Sequence, residues 1–268
     1  MTTSTIEETA MSSTDLARAG HLRGVAGVSR KLHGAGLTIG IWFWGVYALY
    51  AVAITVGNAL AGNDLEVSAL DVTLGAARWP MITLGVIASS AILTLHVAAG
   101  GSRRSLFAGV LRGAVVVGAG YGVVTTLALL GERLLSTSLG MTWHRLGALP
   151  FDSPLTVLGT TVAEALVLTT YILVGACIGV GFTHAGAWGT LLIVPLALPA
   201  VLADLATRTG VVGTIANVEL RPDLDHAEVP PSEGLLTLLL GVGGTALAVV
   251  IAAVVLRALL RTAPVRAR

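Results

Sequence analysis

LTVLGTTVAEALVLTTYILVGACIGVGF, Leu155 to Phe182, contains one charged residue, Glu164, and neither Lys nor Arg. It is longer than the roughly 17–25 residues that carry a helix across a bilayer, so a helix here tilts or runs past the hydrocarbon. The strict polar–apolar alternation of an outer-membrane strand is absent. In hydrocarbon, where no water can bond the backbone, such a segment satisfies its own N–H and C=O groups only as a helix.

Five comparable runs surround it: Leu37–Leu60, Pro80–Ala99, Leu106–Leu130, Ala187–Leu205 and Leu235–Leu260. The 268-residue chain is 54% hydrophobic and 12% charged, about half the charge of a soluble domain, and its mean hydropathy is +0.85. The expected fold class is therefore all-α, a polytopic membrane protein with six transmembrane helices. A net charge of +1 gives no reason to expect nucleic acid; the partner expected from composition is the lipid bilayer. Cys177 is the only cysteine, which excludes an intramolecular disulfide, and no Cys/His cluster has metal-ligand spacing. Residues 1–34 lack an apolar core followed by a small-residue cleavage site, so no cleaved signal peptide is read there.

Charge placement orients the spans. With the N-terminus in the cytoplasm, only Arg78, Arg133, Arg145, Arg208 and Arg221 of the 16 Lys and Arg residues fall outside. Of the 15 acidic residues, only Glu7, Glu8 and Asp15 then fall inside. The inverted topology reverses both biases. Both termini are thus expected in the cytoplasm, with the chain in the cell membrane. A disordered tail is expected over 1–14, rich in Thr, Ser and Glu. An amphipathic cytoplasmic helix is expected over 15–34, lying on the inner surface with Leu16, Leu22, Val25, Ser29 and Leu32 on one face. Gly20, Gly24 and Gly27 weaken that helix, and a disordered basic tail is the alternative. The six-span domain covers 35–262, with an outer excursion at 206–233, and a cytoplasmic tail closes the chain at 263–268.

Between the second and third runs lies HVAAGGSRRSLFAGVLRGA, His96 to Ala114. Gly100 and Gly101 end one helix, and Ser102 caps the next. Arg103 and Arg104 then fall in a first turn, where the helix dipole disfavours cations. Lipid phosphates or an acidic protein partner are expected to favour them there; the simpler reading makes them a topology signal only.

The segment GGSRRSLFAGVLRGA resembles the inner loop of ABC-2-type transporter permeases of the actinobacterial kind. The match runs through Gly101, Ser102, Arg103, Arg104, Phe107 and Gly109, in a Gly-x-Ser/Thr-Arg-Arg stretch followed by an aromatic and a glycine. Here Gly101 adjoins Ser102, and Gly100 supplies the earlier glycine. The six-span layout, the N-terminal amphipathic element and the excursion before the last span are similar too. The resemblance implies that 35–262 is a permease domain and that two such chains, identical or paralogous, form the path. It implies a cytoplasmic ATP-binding subunit that holds ATP and Mg and drives outward movement of an amphiphile: a drug, a peptide antibiotic or a lipid. It further implies that the 15–34 helix and the Gly101–Gly109 loop press on that subunit, and that RTGVVGTIANV, Arg208 to Val218, dips back towards the membrane. Lys31 is the only lysine and no Gly-Lys-Ser/Thr occurs, so this chain forms no P-loop. The expectation is a transport subunit with no catalytic residues and no cofactor of its own.

Glu164 is the one acidic residue well inside a span, roughly 13 Å deep at 1.5 Å per residue. Intramembrane carboxylates are costly and mark function by default. Glu164 is a candidate for the substrate path, for proton carriage, or for fixing a helix pair near Thr160 and Thr161. It sustains the alternative reading, a proton-coupled secondary transporter or channel, with His96 either a second proton carrier or a packing residue at the interface. An intramembrane protease is disfavoured, because no histidine lies within spans three to six and, of the two in-span aspartates an aspartyl protease needs, only Asp204 comes close. Gly109–Gly113 and Gly175–Gly179 have the GxxxG spacing of close helix packing; Gly118, Gly120, Gly122, Gly241, Gly243 and Gly244 extend the pattern. Pro195 and Pro199 are expected to bend the fifth span. Trp42, Trp44, Trp79, Trp143 and Trp188 are expected as interface anchors, and Asn58 as a polar anchor.

Overall fold

The computed structural model describes residues 13–63, 68–145, 149, 151–209 and 231–263. Of the tails expected over 1–14 and 263–268, residues 1–12 and 264–268 lie outside the described residues, as does most of the outer excursion with its dipping helix, while Ser13 and Thr14, expected disordered, begin α1. The elements are α1 (Ser13–Leu60), α2 (Ala69–Thr73) with a 3-10 turn at Leu74–Ala77, α3 (Arg78–Ala98), α4 (Arg103–Ser138), α5 (Pro154–Ala185), a 3-10 segment at Gly186–Leu192, α6 (Ile193–Thr207) and α7 (Pro231–Thr262). No strand occurs among the described residues. Among the described residues six helical segments are long and apolar enough to cross a membrane, which makes the chain an all-α protein of the expected class. Ile41, Trp42, Leu49, Leu127, Val194 and Leu239 are 61–76% exposed on its outside, a distribution suited to lipid rather than water.

The axis of the bundle is α5, which packs against α3, α4, α6 and α7. It is apolar on all sides, as a buried helix must be, and Ile172, Leu173, Val174 and Ala176 are 0% exposed. Glycine sets how closely its neighbours approach. A Cβ on Gly175 would collide with the Ile82 carbonyl of α3, and one on Gly118 or Gly122 of α4 would lie 2.7 Å from backbone atoms of Ala165. Gly109 and Gly113 of α4 face Val28 and Leu32 of α1 in the same way, and Gly241 and Gly244 of α7 face Leu149 and Ala206. Lipid tails are as apolar as leucine, so close approach through dispersion replaces the hydrophobic drive. Gly120 and Gly243 meet nothing within 4 Å, so they take no part in these contacts.

Neighbour pairs give the directions. Gly36 with Val117 and Gly40 with Tyr121 set α1 parallel to α4. Thr169 with Ala114 and Thr126 with Thr161 set α4 antiparallel to α5. Gly159 with Leu238 and Cys177 with Ala252 set α5 parallel to α7. Successive crossings alternate, so the start of α1, the α3–α4 turn and the end of α7 share one end of the bundle, the basic end. The far end carries α2, the segment after α4 and the end of α6.

Several boundaries differ from those read in the sequence. The amphipathic segment and the first span are one unbroken helix. Its 48 residues extend about 72 Å, over twice a ~30 Å hydrocarbon layer. The first half of α1 therefore leaves the hydrocarbon at the basic end as a continuation of the span, not as a separate surface helix. Packing holds it: Val25, Val28, Ser29 and Leu32 are buried where α1 meets the first turns of α4, whereas Leu16 and Leu22, expected on the same face, are 52% and 58% exposed. At the far end α4 continues past Leu130 to Ser138, because Glu132, which ends the apolar run, is itself buried and bonded. Arg78 is not a loop residue but the buried first residue of α3.

The fifth span enters as 3-10 turns, beginning at Gly186 with φ +58°. Pro195 falls in the first turn of α6, where no intrahelical N–H bond is lost, and Pro199 lies inside that helix. Trp42, Trp79 and Trp188 are exposed as anchors should be. Trp44 packs instead with Phe43, Tyr47 and Tyr121, and Trp143 packs on Phe151. Asn58 donates to the Ile54 carbonyl of its own helix at 2.9 Å.

Candidate functional site

At the basic end, the α3–α4 turn is short and bonded at both sides. Gly100 has φ +78°; its N–H donates to the Val97 carbonyl, and the Gly101 N–H donates to the His96 carbonyl at 2.8 Å. These two bonds are the Schellman closure of α3. Ser102 is extended, and its Oγ accepts the Ser105 amide at 3.0 Å, the N-cap expected for α4. The Ser105 hydroxyl lies 2.8 Å from Nε2 of His96, a bond that ties the end of one helix to the start of the next.

The two arginines part company here. Arg103 Nη1 donates to the Arg261 carbonyl of α7 at 2.7 Å. The negative end of the α7 dipole thus offsets the penalty that Arg103 meets at the positive end of α4. For Arg103 the favouring group lies within the protein, where lipid or a partner was expected. Arg104 is exposed. Phe107 is half-buried, with the Arg257 guanidinium 5.9 Å above its ring, and Gly109 leaves room for Val28 of α1, which a Cβ at 109 would crowd at 2.6 Å.

At the far end, five helices and the segment after α4 bring charges together in a buried layer. Arg78 of α3 forms an ion pair with Asp204 of α6, both side chains 3% exposed. Asp204 also accepts the Tyr171 hydroxyl of α5 at 2.9 Å, and Arg78 Nη2 donates to Thr209 Oγ1 at 2.6 Å. Arg145, in the segment after α4, pairs with Asp71 of α2 at 2.8 Å. Burial works against the Arg145 charge, but the Asp71 carboxylate, together with Glu164 and Glu132, offsets it and holds that pKa above its ordinary value. Glu132 of α4 accepts from the Ser68 hydroxyl, from the Leu70 amide at 3.1 Å and from the Trp143 indole at 3.2 Å.

Glu164 belongs to this layer. It is 3% exposed and within the electrostatic reach of Arg78, Arg145 and Asp71. Its Oε1 has no hydrogen-bond partner among the described residues. Such a carboxyl can hold a proton, accept from a cationic ligand group, or exchange partners with the neighbouring pairs. The structure thus puts Glu164 within reach of Arg78 and Arg145, far from the Arg103–Arg104 turn. Arg78, Asp71, Glu132 and Arg145 were legible only as outer charges. Their signal was the presence of both signs beside the ends of apolar runs, but which charge meets which depends on helices as far as 126 positions apart.

No group of three or more His, Cys, Asp or Glu side chains suited to a metal ion occurs among the described residues. Compared with family models, curated proteins and solved structures, the chain matches none of them.

Proposed function

We propose that this chain is the membrane-spanning permease subunit of an ATP-binding cassette exporter of the ABC-2 type. It moves an amphiphile such as a drug, a peptide antibiotic or a lipid outward across the cell membrane, with both termini in the cytoplasm. A separate ATP-binding subunit, carrying ATP and Mg, drives it, and a second permease chain, identical or paralogous, completes the path. The observation that carries this reading is the α3–α4 turn. It is short, capped on both sides, and joined through Arg103 to α7. A rigid turn passes a push into the spans, where a loose loop would absorb it. The exposed Arg104 and the projecting half of α1 offer a docking surface beside that turn. The missing P-loop fits, since the energy must then come from another chain.

The test is affinity purification from native membranes. An ATP-binding subunit is expected to co-purify with the wild type and to be depleted with Arg104→Glu, whose insertion is checked separately. Absence of any such subunit from the wild-type preparation overturns the proposal.

One observation favours a second reading, proton-coupled transport through Glu164: the unbonded Oε1 inside a layer of ion pairs. The two readings separate on the energy source. Export that stops on ATP depletion and survives an uncoupler supports the first, and the reverse supports the second.

A further inference from the structure

We propose that the groove between the first half of α1 and the α3–α4 turn binds the phosphodiester headgroup of an anionic membrane lipid. A cavity of about 620 Å³ opens there, between α1 and the last turns of α3. Gly20, Gly24 and Gly27 form part of its α1 wall. Elsewhere in this fold glycines admit a neighbouring helix, but a Cβ on Gly20 or Gly27 would meet nothing within 4 Å. These two glycines face open volume, not a packed contact.

The chemistry of the lining identifies the occupant. Arg23 and Lys31 line the groove together with His21 and His96, and no Asp or Glu does. Both cations are exposed, and neither forms an ion pair with a described residue. The hydroxyl-bearing residues Ser102 and Ser105 stand on the side of the turn. Below them the wall turns apolar, with Ile92 and Leu95 of α3, and Leu95 is 62% exposed. The groove therefore has cations where α1 leaves the hydrocarbon and an apolar floor leading back into it. That profile matches a lipid with its phosphate among the cations and its acyl chains along α3. A soluble anion makes no use of the floor, and a zwitterionic headgroup brings an ammonium into the same positive field. A lipid seated here would wedge the projecting half of α1 at a set distance from the turn. The proposal does not depend on the transporter reading.

The test uses the full chain in neutral detergent, with lipid retention read by native mass spectrometry. Phosphatidylglycerol and phosphatidylcholine of identical acyl chains are compared. The wild type is expected to retain phosphatidylglycerol roughly thirtyfold better, as two cations near a headgroup imply. Arg23→Gln/Lys31→Gln, at two exposed positions, should abolish that preference. Arg30→Gln/Arg112→Gln, which removes two exposed cations that do not line the groove, should keep it. Gly27→Leu should lower retention by filling the volume while leaving the charges in place. No preference in the wild type, or an unchanged one in Arg23→Gln/Lys31→Gln, overturns the proposal. Displacement of phosphatidylglycerol by millimolar inorganic phosphate would also overturn it, by making this a site for a soluble anion.

Discussion

Arg103 and Arg104 are adjacent in the chain and have different tasks. Arg103 is bonded to the end of α7, so Arg103→Glu sets a carboxylate against a carbonyl at a negative helix end. It should lower stability by about 1 kcal/mol, read as a fall in the melting temperature of the detergent-solubilised protein. Arg104→Glu, at an exposed position, should leave that temperature unchanged and act only on partner binding. In the buried layer, Asp204→Asn strands the Arg78 guanidinium. Breaking a buried pair from one side costs about 3–5 kcal/mol, so this variant should melt well below the wild type. Arg78→Gln/Asp204→Asn should recover much of the loss, because both charges of the pair are then removed together. Glu164→Gln keeps shape and hydrogen-bonding capacity. If ATP hydrolysis in another subunit supplies the energy, the variant should assemble and export as the wild type does. Loss of export with normal assembly would move the weight to the proton-coupled reading.

At the scale of the helix, glycine position matters more than glycine content. Gly175 on α5 meets the backbone of α3, whereas Gly120 on α4 meets nothing within 4 Å. Gly175→Leu should therefore force α3 and α5 apart, at about 1–3 kcal/mol for overpacking. Gly120→Ala should be neutral or slightly stabilising, since alanine is the better helix former. Thermal unfolding of the two variants side by side checks both, and equal effects would show that the helices do not meet where the structure puts them. The same distinction explains α1, whose glycines at 36 and 40 lie against Val117 and Tyr121. Their fit against α4 carries the helix unbroken through a stretch of poor intrinsic propensity.

For the whole molecule, alternating crossings place Ser102 and Thr137 at opposite ends of α4. The proposed orientation, drawn from the charge bias, puts the Ser102 end in the cytoplasm. In a background with Cys177→Ala, a cysteine at Thr137 should react with an impermeant reagent added to intact cells, and one at Ser102 should be shielded. Labelling at 102 and not at 137 would invert the orientation.

The six crossings, the capped turn and the absence of a P-loop were legible in the residues themselves. Hydropathy, N-cap chemistry and glycine stops are local properties, set within one or two helical turns, and hydrocarbon leaves the backbone no other solution than a helix. Tertiary structure alone decided the rest. It chose which glycines touch a neighbour, gave Arg103 a carbonyl on α7, ran the amphipathic segment into the first span, and paired Arg78 with Asp204 and Arg145 with Asp71 within reach of Glu164. Each of these depends on which helix faces which. That choice follows from side-chain fit between segments far apart in the chain, and the order of residues along any single segment does not express it.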